Sequence, residues 1–186
     1  TCYRRPSAGL LARPWAWGLV PFETELMKAR TLARKARFLR WALNFYPPYI
    51  GAGVRVRHIS ADFQQVQVKM GLGWYNRNYV GTQFGGSLYS MTDPFFMLMV
   101  MECLGRQYIV WDKAARIDFI APGKGPVFAN FAIDEALLTD IRTQTAAGDK
   151  YLPELHVDVR DGDGTLVARV HKTLYVRLKP RERQAA

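Results

Sequence analysis

Cysteine is scarce. The 186-residue chain has two, Cys2 and Cys103, which excludes a disulfide framework and any cysteine-rich zinc site. Three histidines, His58, His156 and His171, leave little room for a histidine-based metal centre. No G-x-x-x-x-G-K-[ST] loop and no G-x-G-x-x-G after a strand occurs, so the common nucleotide cradles are missing. No uncharged apolar run reaches the roughly 18 residues of a membrane-spanning helix. The most apolar stretch, Pro94–Met101 between Asp93 and Glu102, reads as a buried helix segment. Arg13 and Pro14 interrupt the apolar residues after Arg4-Arg5, and no clean small-residue cleavage site follows, which argues against a secretion leader. The expected compartment is cytoplasmic, with Cys103 an ordinary reduced thiol.

What is present suits one compact domain: 49% hydrophobic, 13% aromatic and 23% charged residues, enough for a real core. The formal charge of +10 is uneven. Residues 1–50 carry nine Lys/Arg against Glu23 and Glu25, whereas the other 136 hold 17 Lys/Arg and 14 Asp/Glu. The basic character therefore belongs to the N-terminal part, and it suits an anionic partner without choosing one. Four parts follow: an extended or poorly ordered arm over 1–21, a basic amphipathic helix over 22–46, a folded domain over 47–180 and a tail over 181–186. In the helix, Leu32, Ala36, Leu39 and Leu43 fall on one face while Arg30, Arg34, Lys35 and Arg37 take much of the rest. Its basic side reads either as a lipid- or phosphate-facing surface or, more ordinarily, as the solvated side of a packed helix. Pro47-Pro48 is expected to stop it.

Beyond, Val54 and Val56 alternate with Arg55 and Arg57, and Val66, Val68 and Met70 alternate with polar neighbours, the period of half-buried strands. A glycine- and asparagine-bearing loop, 71–78, precedes a long apolar helix from Phe84 to Leu104, closed by Gly105. Four strands are then expected, Tyr108–Ile120, Val127–Leu137, Leu155–Asp161 and Thr165–Leu178, the last two joined at Asp161-Gly162-Asp163-Gly164. Strands grouped after a helix, without β-α-β alternation, give an α+β class with a mostly antiparallel sheet. A helix apolar almost all round needs walls on several sides, which a strongly curved sheet supplies.

The run from Asn78 through Gly81-Thr82-Gln83-Phe84-Gly85-Gly86 to Asp93 resembles the helix start of hotdog-fold acyl-CoA thioesterases, especially the phenylacetyl-CoA thioesterase type. That type carries an Asn, then Gly-Thr-x-His-Gly-Gly, then an Asp nine positions after the His. Asn78, Gly81, Thr82, Gly85, Gly86 and Asp93 fall in register, while Phe84 stands where the pattern has its His. The longer run from Phe84 to Pro94, with Ile109–Lys113 and Lys172–Arg177, is also similar to a bacterial hotdog family of poorly defined function. The likeness spans roughly residues 43–180. It implies a long central helix wrapped by a curved sheet, a thioester substrate such as acyl-CoA with no other cofactor, and a homodimer or tetramer.

Thioester hydrolysis needs donors for an oxyanion and a base or nucleophile for the attack. Free amides at a helix N-terminus suit the oxyanion, and side-chain-free Gly85 and Gly86 let a carbonyl approach them. Asp93 lies seven residues past Gly86, about 10 Å along a helix, too far to serve its own amides. The resemblance therefore implies that Asp93 of one protomer acts opposite Gly86 and Gly85 of another, with Asn78 and Gln83 positioning water or carbonyl. Phe84, Ser87, Arg77 and Met97 are the implied substrate-contacting positions; no metal is implied. Met91, Met97, Met99 and Met101 suit either a deformable acyl tunnel or plain core. Asp93 before Pro94 is equally a helix cap and first helical residue: a helix continuous from Ser87 to Leu98 would favour catalysis, one beginning at Asp93 the cap. Gly85-Gly86-Ser87 is not a G-x-S-x-G elbow, and Asp112 reads as a structural ion-pair partner. A binding protein for acyl-CoA, acyl carrier protein or fatty acid is the alternative function. Nucleic acid ranks last, since no aromatic single-strand platform is evident.

Overall fold

The computed structural model describes residues 20–180; the expected tail, and the expected arm up to residue 19, lie outside them. Helix α1, Val20–Asn44, lays the Leu32/Ala36/Leu39/Leu43 stripe on the body, with Ala36 2% exposed. Its end is tied down by Asn44, whose side chain donates to the Val56 carbonyl (3.1 Å) and accepts from the Val56 N–H (2.8 Å). Pro47-Pro48 ends α1, but it also opens a second helix, α2, Pro47–Ala52. Proline is well placed in a first helical turn because its missing N–H would have no partner there. Gly53 closes α2 with φ of 75°, a left-handed conformation that favours glycine.

Strands β1, Val54–Ile59, and β2, Gln65–Met70, pair antiparallel. The expected long helix follows as two pieces: α3, Gly85–Ser90, and α4, Phe95–Leu104, with a turn over Met91–Pro94 and a cis Asp93–Pro94 peptide between them. Gly105 terminates α4 as expected. Then come β3, Tyr108–Phe119, and β4, Val127–Ala132. The strand expected to reach Leu137 stops at Ala132, and a helix, α5, Glu135–Thr145, takes over. Asp134 caps it by accepting the Leu137 N–H at 2.8 Å, and Leu138, Ile141 and Thr145 turn inward at helical spacing. The two-residue β5, Lys150–Tyr151, precedes β6, Glu154–Asp161, and β7, Leu166–Leu178. Asp161 organises the expected turn between β6 and β7, accepting from the N–H groups of Asp163 and Thr165.

The seven strands form one antiparallel sheet in the order β1-β2-β4-β6-β7-β3, with β5 beside β7. This is the hotdog architecture the resemblance implies. The core lies between α4 and the concave face: Phe95 and Phe96 meet Phe131 of β4 at ring separations of 5.0 and 5.1 Å. Val66, Val68, Val157, Val170, Leu174 and Val176 complete it. Each such large apolar side chain contributes about 1.5–3 kcal/mol on burial. No described helix is long and apolar enough to cross a membrane.

Candidate functional site

On β7 the inward parity runs Val170, Lys172, Leu174, Val176. An ammonium among aliphatic side chains is tolerated only when its charge and donors are matched. Lys172, 2% exposed, places Nζ 2.6 Å from Asp93 Oδ1, 2.9 Å from Asp112 Oδ2 and 3.2 Å from the Tyr89 hydroxyl. The same atom lies 5.0 Å from the centre of the Tyr89 ring. Burial pulls the lysine pKa down, but the two carboxylates and the hydroxyl outweigh it and hold the group charged well above the ordinary lysine value. Two carboxylates thus share one ammonium. Asp112 is the deeper one; burial and the facing Asp93 raise its pKa against the pull of Lys172. Asp112 Oδ1 is buried without a partner.

Asp93 is differently exposed: its side chain is 44% accessible, against 23% for Asp112 and 1% for Lys172. It sits in the turn between α3 and α4, where the Tyr49 hydroxyl of α2 donates to its backbone carbonyl. The interrupted helix matches neither geometry weighed for Asp93. Its carboxylate does not cap α4, whose N-cap is Pro94 without a side-chain hydrogen bond; it is instead held by Lys172 at one oxygen and open at its edge.

At the start of α3, Phe84 is the N-cap and supplies no side-chain hydrogen bond. Among the described residues, no acceptor meets the N–H groups of Gly85, Gly86 or Ser87, while Leu88 already bonds to the Phe84 carbonyl. The glycines have a packing reason besides. A Cβ on Gly86 would stand 2.6 Å from the Phe84 ring, and one on Gly85 would stand 2.9 Å from the Phe119 ring. Two clefts flank this backbone. One of about 410 Å³ is lined by Asn78, Gln83, Gly85, Leu88, Phe119 and Ile120 among others. The other, about 460 Å³, is lined by Arg77, Phe84, Gly86, Ser87, Ser90 and Tyr75 among others.

The sequence-predicted residues are not all brought together, for Asp93 lines neither cleft. Gly85, Gly86, Phe84, Ser87 and Arg77 gather at the clefts. Asn78 and Gln83 line the first cleft but are engaged in building it. Asn78 closes its loop by accepting from the Thr82 N–H and donating to Thr82 Oγ1 and the Gln83 carbonyl. Gln83, 3% exposed, donates to the Gly125 and Gly71 carbonyls, so its NH₂ is not free for a substrate carbonyl. Its Oε1 is buried without a partner and can accept from a water. Met97 lines neither cleft; it packs at the core margin with Met101, while Met91 and Met99 are fully buried. Asp112 is an ion-pair partner, as expected. Cys103 is held as a thiol, burial pushing it up to about 11.

Lys172 was missed as a site residue. Its signal is parity: a lysine on the apolar side of an alternating strand must have a buried counter-charge. Among the described residues no cluster of His, Cys, Asp or Glu is arranged to hold a metal ion.

A family model described as Domain of unknown function (DUF4442) matches residues 34–176. No curated protein matches the chain. Solved structures do. A protein of unknown function from Pseudomonas aeruginosa is 18% identical with a TM-score of 0.62, covering 83% of this chain and 95% of its own. A thioesterase from Haemophilus influenzae is 14% identical with a TM-score of 0.59, covering 81% and 94%. A mutant thioesterase from Pseudomonas aeruginosa is 12% identical with a TM-score of 0.58, covering 77% and 94%. At these identities the likeness is one of fold.

Proposed function

The chain belongs to the family described as Domain of unknown function (DUF4442), and from that premise we propose that it is a thioester hydrolase of the hotdog type, acting on acyl-CoA or a related thioester. The observation that carries this reading is the half-open Asp93 carboxylate, fixed at 2.6 Å by a buried lysine in the break of the central helix. An ordinary structural aspartate caps a backbone or pairs at the surface; this one is oriented from behind and left accessible in front.

In this reading Asp93 takes a proton from water as the water oxygen bonds to the thioester carbon. The carbonyl electron pair moves to oxygen, and the N–H groups of Gly86 and Gly85 donate hydrogen bonds that stabilise the charge there. Collapse of that intermediate breaks the C–S bond, and the leaving thiolate takes from Asp93 the proton that came from the water, which regenerates the carboxylate and leaves the carboxylic acid product. Lys172 keeps Asp93 aimed and does not touch substrate. The carboxylate and the amides then belong to different protomers. Support for such a pair is the outer edge of β3, a 12-residue strand bonded among the described residues only to β7, with Trp111 and Phe119 more than half exposed. An unpaired edge of that length is a template for a second strand.

The test is a panel of acyl-thioesters of varied chain length with the wild type and Asp93→Asn. Hydrolysis by the wild type that falls by about 10²–10⁴ in the variant is expected. Wild-type inactivity on the whole panel, or an unimpaired variant, overturns the proposal. One observation favours a second reading, an acyl-binding protein without turnover: the Phe84 ring packs on Gly86 where the thioesterase pattern has its His. Tight acyl-CoA binding without hydrolysis would establish that one.

A further inference from the structure

Helix α1 is apolar on two opposite sides. Ala36 faces the body, with Leu32, Leu39 and Leu43 beside it. At 100° per residue, Met27, Phe38, Trp41 and Phe45 fall within about 40° of the opposite direction. All four are exposed, at 69%, 65%, 58% and 62%. The rings form a continuous ladder, Phe38 to Trp41 at 6.2 Å and Trp41 to Phe45 at 4.9 Å. Tyr46 and Ile50, exposed at 50% and 45%, follow at its end. Among the described residues, nothing packs over a stripe this long and apolar.

Charge identifies what covers it. Arg30, Arg34 and Arg37 lie on or beside the outer stripe, Lys28 lies to one flank, and all are exposed. Among the described residues none of the four has a carboxylate partner. Lys35 differs: it pairs with Glu102 and pins the helix to α4. A neutral hydrophobic protein partner would leave these guanidinium groups facing apolar surface. An anionic lipid headgroup layer satisfies both features, with Trp and Tyr at the depth they favour and Arg in the headgroups.

We propose that the outer face of α1 is an interfacial lipid-binding surface that seats the protein on membranes rich in anionic phospholipid. The helix lies along the membrane plane, the ring ladder enters the headgroup–acyl boundary, and the hotdog body stays in water. The proposal does not depend on the catalytic reading.

Flotation of the full chain with vesicles tests it, comparing equimolar phosphatidylglycerol and phosphatidylcholine with phosphatidylcholine alone. Expected are binding to the anionic vesicles only and loss of most of it in high salt, since screening shortens the field's reach. Phe38→Ser/Trp41→Ser/Phe45→Ser should weaken binding by about tenfold or more with an unchanged melting temperature, because these rings support no core. Arg30→Glu/Arg34→Glu/Arg37→Glu should abolish it. Equal flotation of wild type and either triple variant overturns the proposal. So does wild-type self-association that the serine variant abolishes while neither protein binds vesicles; the stripe would then be a contact between copies of the chain.

Discussion

Strand β7 carries two ion-pair clusters, three residues apart and on opposite faces, and they solve opposite problems. On the concave face Lys172 is buried between Asp93 and Asp112, one cation for two anions. On the convex face Asp158 of β6 lies between Arg169 and Arg160, one anion for two cations. Arg169 grips it through two bonds of 2.6 and 3.0 Å, and Arg160 adds a third at 2.7 Å. The same chemical groups therefore respond in opposite senses. Hydrogen bonds from Arg169, then Arg160, bring the Asp158 carboxyl down to about 2, whereas burial raises Asp112. The two carboxylates are similarly accessible, at 21% for Asp158 and 23% for Asp112, but their cations are not: Arg169 and Arg160 are 39% and 48% exposed and Lys172 1%. The outer cluster is therefore screened and replaceable, while the inner one is costly to leave half-made.

Removing the inner cation breaks the comparison most severely. Lys172→Met should leave two carboxylates facing each other without a counter-charge and cost about 3–5 kcal/mol in urea unfolding. Adding Asp112→Asn to that variant should return part of the loss, because one uncompensated charge goes with it. Coupling between the two substitutions of about 0.5–3 kcal/mol in a double-mutant cycle is expected. Strict additivity would mean that the two groups do not share a network.

The pH dependence of stability should separate the clusters by sign. Asp158 is more acidic folded than at the ordinary 3.8, so its contribution is present above 3.8 and lost as pH falls toward about 2. Asp112 is less acidic when folded, so between 3.8 and its raised value the native state holds more protons than the unfolded chain. Its ionisation therefore lowers stability as pH rises through that window. Asp158→Asn should flatten the acid limb of a melting-temperature profile, and Asp112→Asn should steepen the rise just above it. Lys172, raised when folded, contributes below 10.5 and loses that contribution as pH climbs through its folded value. The smallest effect belongs to Arg160→Gln. Its side chain is 48% exposed, and loss of one arm of a screened pair should change stability by less than about 1 kcal/mol.

Legibility followed the range of the interactions. Hairpins and alternating strands are local matters, and β1, β2, β6 and β7 were readable from parity and turn residues. Helix α5 was missed, although its signal is local: Asp134 before Glu135, with Leu138, Ile141 and Thr145 at helical spacing, is a capped start that the preceding β-like run Val127–Ala132 obscured. The outer stripe of α1 was hidden differently. Phe38, Trp41 and Phe45 are helical neighbours in any amphipathic count, yet only packing of the other side decides which apolar stripe is left open. Asp93 could be picked out because its spacing from Gly85-Gly86 matches a known pattern. Its partner could not, because 79 residues separate Asp93 from Lys172 and 60 separate Lys172 from Asp112.

By itself, then, the amino-acid order settled the α+β class, the strand parity and the glycine-bearing helix start. These depend on backbone conformation and on side-chain period, which neighbouring residues dictate; Asp93 became a candidate only through the resemblance of its spacing to a known pattern. Tertiary structure decided that the central helix breaks at Met91–Pro94 and that Lys172 points inward to meet two aspartates. It also decided which side of α1 meets solvent. An ammonium enters a core only where distant carboxylates converge on it, and that convergence exists only once the sheet has closed around the helix.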